Sequence, residues 1–304
     1  MSMRYPAGFI SAFYNPLKNP DAPTIGTATG ASVTFTAPSN IGGSAITAYF
    51  AIATDSSSGA QFTGTRASSP ITVSGLTVGN TYTYRVYAVN SYGPSALSAA
   101  SNSTVATLVI GQAYAGGYYA GQISTAGNSI ADFNLVVGPR ASAEATRQFS
   151  ITAVSDPTSV INGPANSATM NNSNHPAAQF CEGLSVGGFS DWYLPARNEL
   201  DVCYFNLKPN AISNFTGSGI NANAVPARAS NYTAGNPAQT SATIFQTGGG
   251  EDFLNGVYYW SSTQATTMYQ FIQYFRTGQQ YGGAGQPGYK GSSFQARAVR
   301  RVAV

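Results

Sequence analysis

Charge is scarce in this chain: only 8% of its 304 residues are Asp, Glu, Lys or Arg. Lys18, Lys208 and Lys290 are the only lysines, and apart from Arg297, Arg300 and Arg301 the arginines are scattered. A net charge of +3 with no basic run gives no electrostatic footprint for a nucleic acid, and no such partner is expected. Histidine occurs once, at position 175. The surrounding Asn174-His175-Pro176 reads as a helix start, so a surface or capping role is expected rather than that of a general base. Cysteine occurs twice, as Cys181 and Cys203 with no Cys-x-x-Cys pair, so no zinc site is indicated. The two cysteines leave a disulfide open, with free thiols expected in a reducing cytosol. No apolar run approaches the roughly 20 residues of a membrane helix. Carboxylates are too few to suggest the paired acids of a glycosidase. Glu251-Asp252, the one late acidic pair, lies in a Gly-rich stretch and offers calcium a poor ligand set. No enzyme, cofactor or metal is therefore expected. The sequons at Asn102, Asn171, Asn214 and Asn231 are expected by chance in so Asn- and Thr-rich a chain.

What is present suits short strands and many loops. Hydrophobic residues make up 43% of the chain and aromatics 12%, enough to bury a core, and there are 33 glycines. The expected class is mainly β with some α, in three regions. Residues 1–20 read as an arm or docking segment, and their short apolar stretch between prolines is no convincing signal peptide. Residues 21–108 alternate in strands such as Ser32-Val33-Thr34-Phe35-Thr36 and Tyr82-Thr83-Tyr84-Arg85-Val86, with turns between them, as in a β-sandwich. Residues 109–304 read as one larger α+β domain. Helices are expected over 176–184 and 196–207, and strands over 257–262, 268–276 and 294–302. Residues 158–174 and 217–249 look like surface excursions.

Within the second region, Leu76-Thr77-Val78-Gly79-Asn80-Thr81-Tyr82 has the form of an E–F corner, with Tyr82 as its tyrosine. Ala88-Val89-Asn90-Ser91-Tyr92-Gly93-Pro94-Ser95 has that of an F–G turn. The segment resembles a fibronectin type III domain, with Phe35 where the family usually has Trp. For this module a spacer role is expected.

Three strings stand out in the last region. They are Gly187-Gly188-Phe189-Ser190-Asp191-Trp192-Tyr193-Leu194-Pro195, then Tyr259-Trp260-Ser261-Ser262-Thr263, then Arg297-Ala298-Val299-Arg300-Arg301-Val302. The first two hold both tryptophans of the chain. Trp brings a large apolar area and an indole N–H that needs an acceptor. Ser190 and Asp191 can brace the following turn. Asp191, Trp192, Leu194, Pro195, Tyr259, Trp260, Ser261, Ser262, Arg297 and Arg300 are read as scaffold. Together the strings resemble a bacterial and viral family of C-type-lectin-like domains, related to the formylglycine-generating-enzyme fold but without that enzyme's late cysteine pair.

The resemblance implies recognition rather than catalysis, on the segment between the second and third strings. Candidate ligand residues there are Tyr269, Tyr274, Gln279, Gln280, Tyr281, Gln286, Tyr289 and Lys290. Tyr gives contact area at low entropic cost, Gln adapts its hydrogen bonds, and Gly lets a loop bend. The expectation is a multi-copy or homo-oligomeric virion protein of a tailed phage, made in the host cytoplasm. Its arm would contact other virion proteins, and its last domain a host-surface glycan or protein. A purely structural decoration, neck or fibre-network protein is the alternative, and a bacterial surface adhesin the second.

Overall fold

Alternation drives the first unit. In a computed structural model, which describes residues 19–304, the strands are β1 (Thr24–Thr29), β2 (Ser32–Thr36), β3 (Ile46–Asp55), β4 (Gln61–Arg66), β5 (Ile71–Thr72), β6 (Thr81–Asn90), β7 (Gly93–Pro94) and β8 (Thr104–Val105). The expected docking arm, all but its last two residues, lies outside the described residues. One sheet runs β1-β2-β5 and the other β4-β3-β6-β7, with β8 also on β6. Every pairing is antiparallel. Strand β3 buries Tyr49, Ala51, Ala53 and Asp55, and β6 buries Tyr82, Tyr84, Val86, Ala88 and Asn90. Such period-2 burial is what a sheet with one face on a core requires. Phe35, at 8% exposure, fills the Trp position with its ring 4.6 Å from that of Tyr49. The Tyr82 hydroxyl accepts from the Thr77 N–H at 3.0 Å, closing the corner its sequence context predicts.

The second unit, Ile110–Val304, contains both strands and short helices. In chain order they are β9 (Ala113–Tyr114), β10 (Gly117–Ile123), β11 (Phe133–Val137), α1 (Arg140–Ala143), β12 (Glu144–Gln148), α2 (Gly163–Thr169), α3 (Pro176–Glu182), α4 (Arg197–Leu207), β13 (Ala224–Val225), β14 (Tyr258–Gln264), β15 (Gln270–Tyr274), β16 (Gln280–Tyr281), β17 (Ser293–Arg297) and β18 (Val299–Ala303). One sheet is β13-β10-β11-β18 with β9 on β10; the other is β12-β17-β14-β15-β16. The stretch expected as a single final strand is two, β17 and β18, and they lie in different sheets. The division falls at Ala298, which packs in the core and whose N–H bonds Ala143 O at 2.9 Å.

The expected surface excursions are a partial correction. Residues 158–174 contain α2, whose Asn166 and Ser167 are buried, followed by buried Met170. Residues 217–249 send Tyr232 and Phe245 into the core. Apolar side chains spaced singly among Asn, Gly and Thr carry no period, yet each still gains by leaving water.

Helix α4 shows how the strings are used locally. Its N-cap is Ala196, which has no side-chain oxygen to offer the first turn. Thr263 of β14 supplies one instead: its Oγ1 accepts from Arg197 N at 2.9 Å. Glu199 turns back to accept from Ala196 N at 2.8 Å. Among the described residues no helix is long and apolar enough to cross a membrane.

The corner in the first unit is open to test. Tyr82→Phe keeps the ring and removes the acceptor for Thr77 N–H. Chemical denaturation should show a loss of about 1 kcal/mol. An unchanged midpoint would mean the corner bond contributes nothing.

Candidate functional site

The three strings meet in space. Tyr193 and Val299 exchange backbone bonds at 2.9 and 3.0 Å, and Ser262 N donates to Pro195 O at 2.8 Å. Each string also feeds both apolar clusters of the unit. Trp192, Trp260 and Ala298 enter one cluster, while Tyr193, Tyr259 and Val299, their chain neighbours, enter the other. Consecutive residues of an extended segment point to opposite sides, so three short strings lie between two clusters and join them.

Both indoles find acceptors. Trp192 Nε1 reaches Val186 O and Phe189 O, each at 3.2 Å, and Trp260 Nε1 reaches Arg147 O at 2.9 Å. Asp191 does not cap its own turn as expected. Its carboxylate takes both arms of Arg300, Nε at 2.7 Å and Nη2 at 2.9 Å, and the guanidinium lies 3.8 Å from the Phe189 ring centroid. The hydrogen bonds from Arg300, and then its charge, hold the Asp191 carboxyl below its ordinary 3.8. Arg297 is wholly enclosed. It donates to Glu251 Oε2 at 2.9 Å, Glu251 O at 2.9 Å and Gly138 O at 3.1 Å, with Phe253 against its face at 4.7 Å. Glu251-Asp252 is therefore consumed by arginines, since Asp252 pairs with Arg140. No group of His, Cys, Asp or Glu suited to a metal occurs among the described residues. Cys181 and Cys203 are free, buried in different clusters, and burial pushes both thiols far above their ordinary value.

The candidate ligand residues divide into two groups. Tyr274 and Tyr281 belong to an aromatic cluster on β14–β17. The Tyr258 ring lies 4.9 Å from Tyr274, 5.7 Å from Tyr281 and 5.1 Å from Phe294, all four rings half-buried. Beside it is a surface depression of about 250 Å³ lined by Thr146, Gly256, Val257, Tyr258, Ser293, Phe294 and Gln295. None of these is charged. Burial, and then Tyr258, raises the Tyr281 phenol above its ordinary 10.0. The second group is Tyr269, Gln286 and Tyr289. Tyr269 and Tyr289 pair edge to face at 6.2 Å, and Gln286 Oε1 accepts from Gly282 N at 2.8 Å. Tyr289 is 46% exposed.

Two amides expected to face a ligand are occupied at home. Gln280 Oε1 accepts from Arg197 Nε at 2.9 Å, and Gln279 Oε1 from the Tyr281 hydroxyl at 2.8 Å. The loop enters through Gly278, at φ 76°, where any Cβ would run into the Tyr204 ring.

Lys290 is a correction. Expected on the ligand face, it is 1% exposed, and its ammonium is held by Asp156 Oδ2 at 2.5 Å, Gln264 Oε1 at 2.7 Å and Val154 O at 2.9 Å. A buried ammonium requires such partners, and three acceptors meet there. His175 is a second correction. It occupies the N-cap of α3, but its ring is buried and gives no cap; Nε2 lies 2.9 Å from Asp156 Oδ1. Burial alone would raise the Asp156 carboxyl, but bonds from His175 and Lys290 outweigh it and hold the group below its ordinary 3.8.

Sequence reasoning missed Tyr258 and Phe294 as parts of the face, although both sit in strands it identified. It had no signal for Thr146, which reaches Gln295 across 149 positions of chain. Asp156 gives no signal either, because a lone acid reveals nothing until its partners are known.

Residues 16–104 match the fibronectin type III domain, and the first unit is a β-sandwich of that kind. Similar solved structures include titin domains A168–A170, at 29% identity over 29% of this chain and 32% of that one, TM-score 0.26. Human cardiac titin module A71 is 30% identical over 31% of this chain and 92% of the module, TM-score 0.23. The twitchin kinase region of C. elegans is 21% identical over 29% and 16%, TM-score 0.26. The chain spans about a third or less of the length of the first three such structures. No curated protein matches it.

Two predictions concern the arginines. Arg297→Met leaves Glu251 without its cation and Glu144 with only Arg140 at 3.8 Å, and should cost the second unit about 3–5 kcal/mol in denaturant unfolding. A loss below about 1 kcal/mol would show that water or neighbouring groups replace the guanidinium. For Asp191→Asn, the sign follows from the lowered carboxyl. The wild type's advantage should be full well above pH 3.8 and should vanish as pH falls through the lower folded value. An advantage that persisted in strong acid would exclude the ionic pair as its source.

Proposed function

We propose that the chain is a non-enzymatic virion protein of a tailed phage whose second unit, a C-type-lectin-like domain, recognises a glycan or protein on the host surface. The fibronectin type III sandwich serves as a spacer, and residues 1–20 contact other virion proteins. The observation that carries this reading is the uncharged aromatic face: Tyr258, Tyr274, Tyr281 and Phe294 beside a depression edged with Thr146, Ser293 and Gln295. Rings already packed against one another lose little freedom when a ligand stacks on them, and hydroxyl and amide groups at the rim supply orientation. Glu144, on the same strand as Thr146, is paired with Arg297 and so is not free at the rim, which suits non-covalent binding. Many copies on one particle would turn weak single contacts into firm attachment.

Virions carrying Tyr274→Ala with Tyr281→Ala test the face. Adsorption to host cells should fall by at least about tenfold while the thermal midpoint of the purified chain stays near that of the parent. Unchanged adsorption would remove this face as the site of recognition and favour a purely structural role in the particle.

A further inference from the structure

The most unusual chemistry in the second unit lies away from the aromatic face, where Lys290, Asp156 and His175 meet. Their exposures are 1%, 8% and 6%. Phe149, fully buried, walls the site, with its centroid 5.9 Å from Lys290 Nζ and 6.0 Å from the His175 ring. From this geometry we propose that Lys290 and Asp156 condense to an intramolecular isopeptide bond, with His175 polarising the carboxyl group through Oδ1.

The hydrogen bonds fix where protons can sit. Asn172 Oδ1 accepts from Asn174 N at 3.0 Å, so it is an oxygen, and His175 Nδ1 at 2.9 Å must bear a hydrogen to meet it. That leaves His175 Nε2 to share a single proton with Asp156 Oδ1 at 2.9 Å. Gln264 Oε1 accepts from Asp156 N at 2.6 Å and is likewise an acceptor. Two hydrogens of Lys290 Nζ are thereby committed, one to Gln264 Oε1 at 2.7 Å and one to Val154 O at 2.9 Å. The third direction points at Asp156 Oδ2, 2.5 Å away. Once that third proton moves onto the carboxyl, the nitrogen lone pair faces the same group.

The reaction balances without a co-reactant. The resting pair is an ammonium and a carboxylate, and the products are one secondary amide and one water. Proton transfer from Nζ to Oδ2 gives an amine and a carboxylic acid. The amine attacks Cγ, forming the N–C bond. The proton that His175 Nε2 shares with Oδ1 stabilises the negative charge developing on that oxygen, one proton passes from the nitrogen to the departing Oδ2 hydroxyl, and the C–Oδ2 bond breaks as water leaves. Two effects favour the product. Fixed contact between the reacting groups corresponds to an effective concentration on the order of 10⁵–10⁸ M. Condensation also removes two charges from a buried site, where each carries a desolvation cost. The bond would join positions 134 apart and anchor the end of the 278–291 loop to the body of the unit. It would form whether or not the aromatic face binds a ligand.

Intact-mass measurement of the denatured full-length chain decides the matter. The expected mass is one water below that of the sequence, and a tryptic digest should yield one branched peptide containing Asp156 and Lys290, with no cleavage after Lys290. Lys290→Arg retains the cation but cannot condense in this way, and should restore the full mass. His175→Gln should slow condensation, seen as a mixture of both masses in freshly made protein. Full mass for the wild type, with cleavage after Lys290, would overturn the proposal and leave a salt bridge. A water loss that persists in Lys290→Arg would overturn it equally, by placing the dehydration elsewhere.

Discussion

The second unit depends on matching three guanidiniums from one end of the chain. Arg297, Arg300 and Arg301 leave solvent as the final strands enter the two sheets, and each finds a different carboxylate: Glu251, Asp191 and Glu199. Those acids come from the loop before β14, from the string around Trp192, and from the first turn of α4. Satisfying the cations therefore positions three remote segments at once. Planar, multidentate arginine suits this better than lysine, because one side chain can bond several acceptors in fixed directions.

The same demand explains the scarcity of free charge. With few carboxylates in the whole chain, most of those in this unit are engaged with arginine, lysine or histidine. What lines the depression on the second sheet is tyrosine, phenylalanine, valine, glycine, amide and hydroxyl. A face of that composition can bind through area and adaptable hydrogen bonds. Scaffold and candidate recognition surface are thus two consequences of one allocation of charge.

Much of the fold could be read directly. Tyr82 and its flanking residues identify the corner of the sandwich, since local alternation and turn chemistry are properties of a short segment. Helices α3 and α4 lie close to where Pro176 and the residues after Pro195 place them. The scaffold role of the strings is also legible, since their Trp side chains, Arg297 and Arg300 are buried. Legibility fails where a residue's meaning depends on a distant partner. Lys290 reads as an exposed loop cation until Asp156 and Gln264 are brought to it, and His175 reads as a cap until the same aspartate arrives.

Sequence by itself determined the sandwich, its corner tyrosine, the two helices and the existence of a Trp- and Arg-based scaffold, because each rests on periodicity or on contacts between near neighbours. Tertiary structure alone decided that the last strand is two strands in different sheets, that consecutive residues of each string serve opposite clusters, and that Lys290 and His175 converge on Asp156. These depend on which segments become neighbours. That choice is made by burying scattered apolar residues and pairing every enclosed charge, and no short window of sequence contains it.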